Sequence, residues 1–521
     1  MRLVYALVFI LSLAQSQRPC VQKIYPGART NIVCVCNSTY CDDFPPLGNL
    51  GINNVAVYLS SEDGYRFNKT VTQFSTKKNA KDVITVKIDA SQQFQQMLGF
   101  GGAFTDSVGI NLNKIPQNSK DTILKQYFSL NDGIGYTIGR VPMASCDFST
   151  HPYSYADVEN DFTLDHFNLT EEDFILKIPH ILQAMKLTDP GEKLKLFSTP
   201  WSAPGWMKTN GQMKGGGDLK GSVNGQYYQT WSKYFVRFFE EYAKQGVNFW
   251  GTSIQNEPSS GLLPDYGWQT MSMTAAVEAQ FLAQLLGPAL KSNNVSKDLK
   301  IMIFSDQRTG IKDYSTTVLS NPDAAKYVDG IAYHWYEDFL ADAKVLSEVH
   351  NAFPNVFMLP TEACTGYLPV FRGVRFGDWS RASQYAHSII EDTLNYAAGW
   401  VDWNLCLDQT GGPNWVGNLC DAPIIIGNTS DVFYKQPMFY ALGHFSKFVR
   451  PGSYRIKVTN PAENLFESVA FTTPSNQRVL ILNNRFDASQ TINVEDAKRP
   501  TQSVTVNLPG NSIMTLVWNK I

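Results

Sequence analysis

The chain has 521 residues, 43% of them hydrophobic, 13% aromatic and only 17% charged. That length and apolar share fit one large domain with an extensive core plus a smaller one. A formal net charge of −3, with no long run of like charge, excludes a nucleic-acid partner, which requires a basic patch.

Residues 1–16, MRLVYALVFILSLAQS, set one Arg before an apolar stretch and small residues around Ala14 and Ser16. This pattern predicts a secretory signal peptide cut before Gln17. The stretch falls short of the about 20 apolar residues of a membrane span, and no later segment qualifies. The mature protein is therefore expected to be soluble, without a transmembrane anchor, and lumenal or extracellular. Cys20, Cys34, Cys36 and Cys41 crowd its start, and in an oxidising compartment they read as two disulfides in any of three connectivities. Zinc is the alternative, although the paired CxxC spacing is missing. Cys146, Cys364, Cys406 and Cys420 read as buried thiols, with a Cys406–Cys420 pair left open. Five N-x-S/T sequons, at Asn37, Asn68, Asn168, Asn294 and Asn428, fit a glycosylated protein of the secretory pathway.

From about 50 to 92, and again from 453 to 521, runs such as DVITVKIDA, RVLILNN and SVTVNLPGNSIMTLVW alternate and are rich in Thr and Val. They read as antiparallel strands. Lying on both sides of the middle region, they are expected to form one β-sandwich from the two chain ends. Residues 96–407 repeat a different grammar: a short apolar run, a polar or Gly/Pro-rich loop, then apolar residues at three and four spacing. The strands are QMLGFGGAFT, GYTIGRVPMAS, KLKLFSTPWS, FWGTSIQ, KIMIFSD, VDGIAYHWY, VFMLPTE and GWVDWNLCL. Eight such units predict an α/β fold, a (β/α)8 barrel with a parallel sheet. A doubly wound sheet is the alternative, but GFGGA lacks the GxGxxG spacing of a phosphate loop.

In a barrel the C-terminal strand ends surround the active site. Those ends carry Asp106, Arg140, Asp147, Trp201, Asn256, Glu257, His334, Trp335, Tyr336, Glu362 and Trp403, a mixture of carboxylates, amides and aromatics that suits a sugar-binding cleft. Glu257, in SIQNEPSSG, ends the fourth strand. Pro258 is expected to push it toward an extended conformation. Glu362 ends the seventh strand in LPTEACTG. The separation, 362 − 257 = 105 residues, equals three units of 35, so the two carboxylates can meet across the barrel mouth. Retaining glycosidases need such a pair, one as nucleophile and one as acid/base. Each reading has a bland rival. Glu257 alone is a turn residue, Trp201 and Trp403 can cap the core, Arg140 and Asp147 can pair structurally, and His334 and Cys364 can simply pack. No HExxH helix or GxSxG elbow offers another chemistry, and seven His leave little for a metal cluster.

At these residues the chain resembles the glucosylceramidases of glycoside hydrolase family 30. The resemblance runs from RPCVQ to WNKI and includes GFGGAFTD, GIGYTIGRVPMASCDFS, PWSAPGWMKTNG, QNEPSSGLL, TEACTG, GGPNWVGN and FYKQPMFYALGHFSKF. It implies a retaining β-glucosidase with Glu362 as nucleophile and Glu257 as acid/base, the latter's pKa raised by nearby Glu362 and by burial. It further implies that Asn256 binds the 2-hydroxyl and that Asp147, Trp201, Trp403 and Asn418 hold the glucose ring. Arg140, His334 and Tyr336 would line the same pocket. Disulfides Cys20–Cys34 and Cys36–Cys41 follow, with no metal and no organic cofactor. The implied domains are 17–48 with 405–436 as a small antiparallel β-domain, 49–92 with 453–521 as the sandwich, and 93–404 with 437–452 as the barrel. The implied partners are a glycosphingolipid, an anionic lipid surface and a saposin-type activator, in the lysosomal lumen or after secretion. The alternatives are another family 30 glycosidase, acting on β-xylosides or β-1,6-glucan, or a catalytically silent sugar- or lipid-binding homologue. The chain departs from the family pattern at Cys406, Cys420, Asp265 and Trp268.

Overall fold

A computed structural model describes residues 17–26, 30–77, 83–429 and 431–521. The expected signal peptide at 1–16 lies outside the described residues. The middle of the chain forms eight strands: β1 Gly99–Ala103, β2 Ile138–Met143, β3 Lys195–Pro200 and β4 Gly251–Ser253, then β5 Lys300–Gln307, β6 Gly330–His334, β7 Phe357–Glu362 and β8 Gly399–Asn404. Each pairs in parallel with the next from β1 to β7, and β8 returns to β1. Between β7 and β8 the ring closes through a parallel Met358–Ala397 bridge and an Ala398 N–H to Met358 carbonyl bond of 2.8 Å. This is the predicted (β/α)8 barrel.

Its interior is a packed layer. Ile138, Phe197, Met302, Ala332, Leu359 and Val401, one from each of six strands, form a single buried cluster, as barrel cores do. The glycines of GFGGA serve this closure. A Cβ on Gly101 would stand 1.9 Å from the Ile138 carbonyl oxygen, so only Gly lets β1 approach β2. Outside the ring, the helix Gln226–Lys244 buries Trp231, Phe235, Phe238, Phe239 and Tyr242 at three and four spacing and stops just before Gly246, whose φ is +82°.

The chain ends meet in a ten-stranded sheet structure holding a second core of Val55, Ile88, Leu480, Leu516 and Trp518. Strand Ile84–Gln96 pairs antiparallel with Tyr454–Thr459 and in parallel with Gln490–Asp496, so this layer is not purely antiparallel as expected. A third sheet of five short strands joins Gln22–Tyr25 and Asn31–Cys36 to Phe433–Lys435, Ile424–Ile426 and Cys406–Asp408. One of its pairings, Cys406–Asp408 with Ile424–Ile426, is parallel, which corrects the antiparallel expectation. Disulfides Cys20–Cys34 and Cys36–Cys41 close its edge, leaving those sulfurs no thiolate for zinc. A buried Lys435 Nζ to Asp42 Oδ1 contact of 2.7 Å, with Tyr440 donating to Asp42 Oδ2 at 2.7 Å, ties this sheet to the helix Pro437–Ser446.

Candidate active site

Glu362 is the last residue of β7, and its buried carboxylate is held from two sides. Arg140 Nη1, from β2, donates to Oε2, and the Tyr336 hydroxyl donates to Oε1 at 2.7 Å. The same guanidinium reaches Asn256 Oδ1 through Nη2 at 2.6 Å. Its flat face lies over Trp201 and Trp403, 4.8 and 5.1 Å from their ring centroids. Arg140 thus pairs with Glu362 rather than with Asp147, the structural ion pair entertained from sequence.

Glu257 lies four residues beyond β4, not at the strand's end. Its backbone is left-handed, with φ +42° and ψ +59°. This overturns the extended conformation expected before proline. The reason lies in β5, where the register slips between Phe304 and Asp306 and both Phe304 and Ser305 take positive φ. That bulge frees the Ser305 carbonyl to accept the Glu257 N–H at 2.9 Å, while Asp306 Oδ2 accepts the Ser259 N–H at 2.8 Å. The turn is clamped on both sides of the proline. It delivers Glu257 Oε1 to Gln307 Nε2 at 2.8 Å and His334 Nδ1 at 2.9 Å.

Burial raises the Glu257 carboxyl to about 7. Arg140 and the hydrogen bond from Gln307 oppose the rise, and Glu337 adds to it. Glu362, the neighbour invoked from sequence, is not among its main causes. His334 is pushed down to about 4 by burial, so above that pH the ring is neutral. Its Nδ1–H then donates to Glu257, and Nε2 faces the Ser305 hydroxyl at 3.3 Å. Oxygen atoms of Glu257 and Glu362 lie within 4.8 Å of each other.

A cavity of about 420 Å³ opens over this pair, lined by eight of the ten residues singled out: Asp147, Trp201, Asn256, Glu257, Tyr336, Glu362, Trp403 and Asn418. Trp201 and Trp403, both in the cavity wall, stack on each other at 5.4 Å with 17° between planes. Asp147 Oδ2 accepts from Asn418 Nδ2 at 3.0 Å and Asn414 Nδ2 at 3.2 Å. Burial and the repulsion of Glu362 lift Asp147 to about 7.

Arg140 and His334, expected to line the pocket, are fully buried behind it and meet its wall at Glu362, Asn256, Glu257, Trp201 and Trp403. Asp106 turns away altogether, meeting Lys177 at 3.6 Å and the Tyr153 hydroxyl at 2.9 Å. Sequence reading missed Gln307, Asn414 and Tyr266, the last of which lines the cavity. The first ends β5 in KIMIFSDQ, a strand whose end offered no residue to the earlier set, and the other two sit in long loops without a register to count from. All five sequon asparagines are surface residues, Asn37 half-buried and the others exposed.

Residues 97–449 match the glycosyl hydrolase family 30 TIM-barrel domain, and 452–516 match the glycosyl hydrolase family 30 beta sandwich domain. The chain is 47% identical over 489 residues to putative glucosylceramidase 4 of Caenorhabditis elegans, covering 94% of this chain and 93% of that one. It is 42% identical over 511 residues to the lysosomal acid glucosylceramidase of Mus musculus, covering 98% and 97%. Among solved structures, SrfJ from Salmonella typhimurium superposes with a TM-score of 0.81 at 29% identity, covering 90% of this chain and all of that one. With both domain models matched in sequence and a paired-carboxylate cleft at the mouth of the barrel, the chain belongs to glycosyl hydrolase family 30.

Proposed function

We propose that this protein is a retaining β-glucosidase that hydrolyses glucosylceramide to glucose and ceramide in sphingolipid catabolism. The observation that carries the reading is the close approach of the two carboxylates, whose oxygens lie within 4.8 Å. Retaining enzymes hold their carboxyl groups about 5–5.5 Å apart, whereas inverting ones need about 6.5–9.5 Å to admit a water.

Glu362, its charge compensated by Arg140 and its orientation set by Tyr336, attacks the anomeric carbon. The bond to the ceramide oxygen breaks as that oxygen takes the Glu257 proton. Because Gln307 and His334 both occupy Oε1, the proton is carried on Oε2. In the second step a water gives its proton to Glu257, its oxygen bonds to the anomeric carbon, and the bond to Glu362 breaks. Asn256 keeps its amide NH2 for the sugar 2-hydroxyl, since Arg140 already occupies its oxygen. Asp147, Asn418, Trp201 and Trp403 hold the ring. Only protons and the glycosyl group move, so the two carboxylates complete the chemistry.

The relatives named glucosylceramidase support the glucosyl and ceramide halves of the substrate. The cavity mouth adds support: Phe339, Leu340 and Leu368 line it although 72%, 66% and 41% exposed, with Val370 and Phe371 beside them. Exposed Arg372 and Arg375 flank this apolar rim. Such a surface suits a lipid aglycone presented at an anionic membrane, with a saposin-type activator helping to present it. No helix among the described residues is long and apolar enough to cross a membrane. The lysosomal lumen, peripheral to the membrane, is the location this reading assigns.

Glucosylceramide in vesicles containing anionic lipid, incubated with the purified protein, is expected to release glucose and ceramide in equal amounts. Turnover of β-xylosides or β-1,6-glucan with glucosylceramide left intact would contradict the substrate.

A further inference from the structure

Cys364 and Cys420 both stand on the wall of the sugar cavity. Cys364 follows Glu362 by two residues, and Cys420 follows Asn418 by two. The backbone joins the two segments, with the Asp421 N–H donating to the Thr365 carbonyl at 2.9 Å. Both thiols are buried in one cluster with Trp201 and Trp403. Cys364 Sγ also lies 3.6 Å from the Tyr336 hydroxyl, the group that donates to Glu362. Cys406, the partner left open for Cys420 by sequence, points instead at the Val108 carbonyl, 3.8 Å away.

We propose that Cys364 and Cys420 are a paired-thiol modification site, oxidised to a disulfide by a small organic disulfide, with loss of turnover. One protein thiolate attacks the reagent, forming a mixed disulfide and releasing one small thiol. The second protein thiol attacks that mixed disulfide, the Cys364–Cys420 bond forms, and the second small thiol leaves. Two protein thiols are oxidised, the reagent is reduced, and the two protons pass to its thiols.

The consequence for turnover is geometric. Disulfide sulfurs lie about 2.05 Å apart, closer than two unbonded thiols can stand, so the flanking segments must draw together. Those segments carry Glu362 and Asn418, and misplacing reacting groups by about 1 Å costs on the order of 100-fold in rate. Burial raises both thiols above the ordinary thiol range. Thiolate is therefore scarce in acid, and the reaction accelerates as pH rises. An acidic lumen preserves the reduced, active pair.

The test treats the whole protein with cystamine at pH 8.5 and at pH 5. Its activity arm rests on the glycosidase reading, and its peptide arm does not. At pH 8.5 a non-reduced peptide map is expected to show a link joining the Cys364 and Cys420 peptides. Turnover should fall on the order of 10- to 100-fold and return with dithiothreitol. At pH 5 both changes should be slower, and Cys420→Val should keep its activity under the same treatment. Failure to find the link at either pH overturns the site, as does equal inactivation of Cys420→Val. A link in protein that never turned over glycoside would spare the site and contradict the proposed function instead.

Discussion

A glutamate held left-handed in front of a proline costs about 1–3 kcal/mol of backbone strain. Here the Ser305 carbonyl and the Asp306 carboxylate hold the turn on either side, and the return is an acid aimed into the cavity. The carboxyl is raised to about 7, so its protonated form prevails below that pH and is lost above it. kcat/KM is therefore expected to fall as pH climbs through about 7. Asp147 titrates in the same range, so the limb belongs to both groups. Gln307 donates to the charged form of Glu257 and so lowers its pKa. Gln307→Leu removes that donor and should move the alkaline limb upward by up to about one unit. A limb that stays in place or moves down in a pH–rate profile would remove Gln307 from this role.

At the scale of the element, the strand order was legible because a barrel repeats one pattern eight times, and period and strand length need no tertiary knowledge. Where the pattern breaks, reading from sequence failed for physical reasons. The bulge in β5 leaves no mark on KIMIFSD, yet it supplies the carbonyl that fixes Glu257. His334 ends β6 as expected, but Arg140 lies inside β2, three residues short of its end, and both side chains turn behind the wall. The parallel pairs in the two outer sheets arise from segments brought together across the whole chain, and local alternation carries no such information. The tight β1–β2 contact is testable at this scale. Gly101→Ala forces a Cβ onto a backbone oxygen that cannot rotate away, and overpacking of this kind costs about 1–3 kcal/mol or more. Gly267→Ala enters open space. Calorimetry should show a clear drop in Tm for the first and almost none for the second; equal values would refute the packing argument.

Across the whole molecule, the site is assembled from residues that sequence separates widely. Arg140, His334 and Glu362 come from three strands, Asn256 and Glu257 from the loop after β4, and Asn418 from the segment leading into the small sheet. The count of 105 residues between the two glutamates made their meeting legible, since three units of a barrel bring strand ends to facing positions. Which oxygen bonds to which donor was not legible, because it depends on rotamers fixed by the surrounding wall. The central claim is that Glu362 bonds covalently to the sugar while Glu257 moves the proton. Its most direct measurement is incubation with a mechanism-based cyclitol epoxide, followed by peptide mass mapping. The account predicts one label per chain, on the Glu362 carboxylate in the TEAC peptide. A label on any other residue, or an active enzyme that takes none, would contradict it.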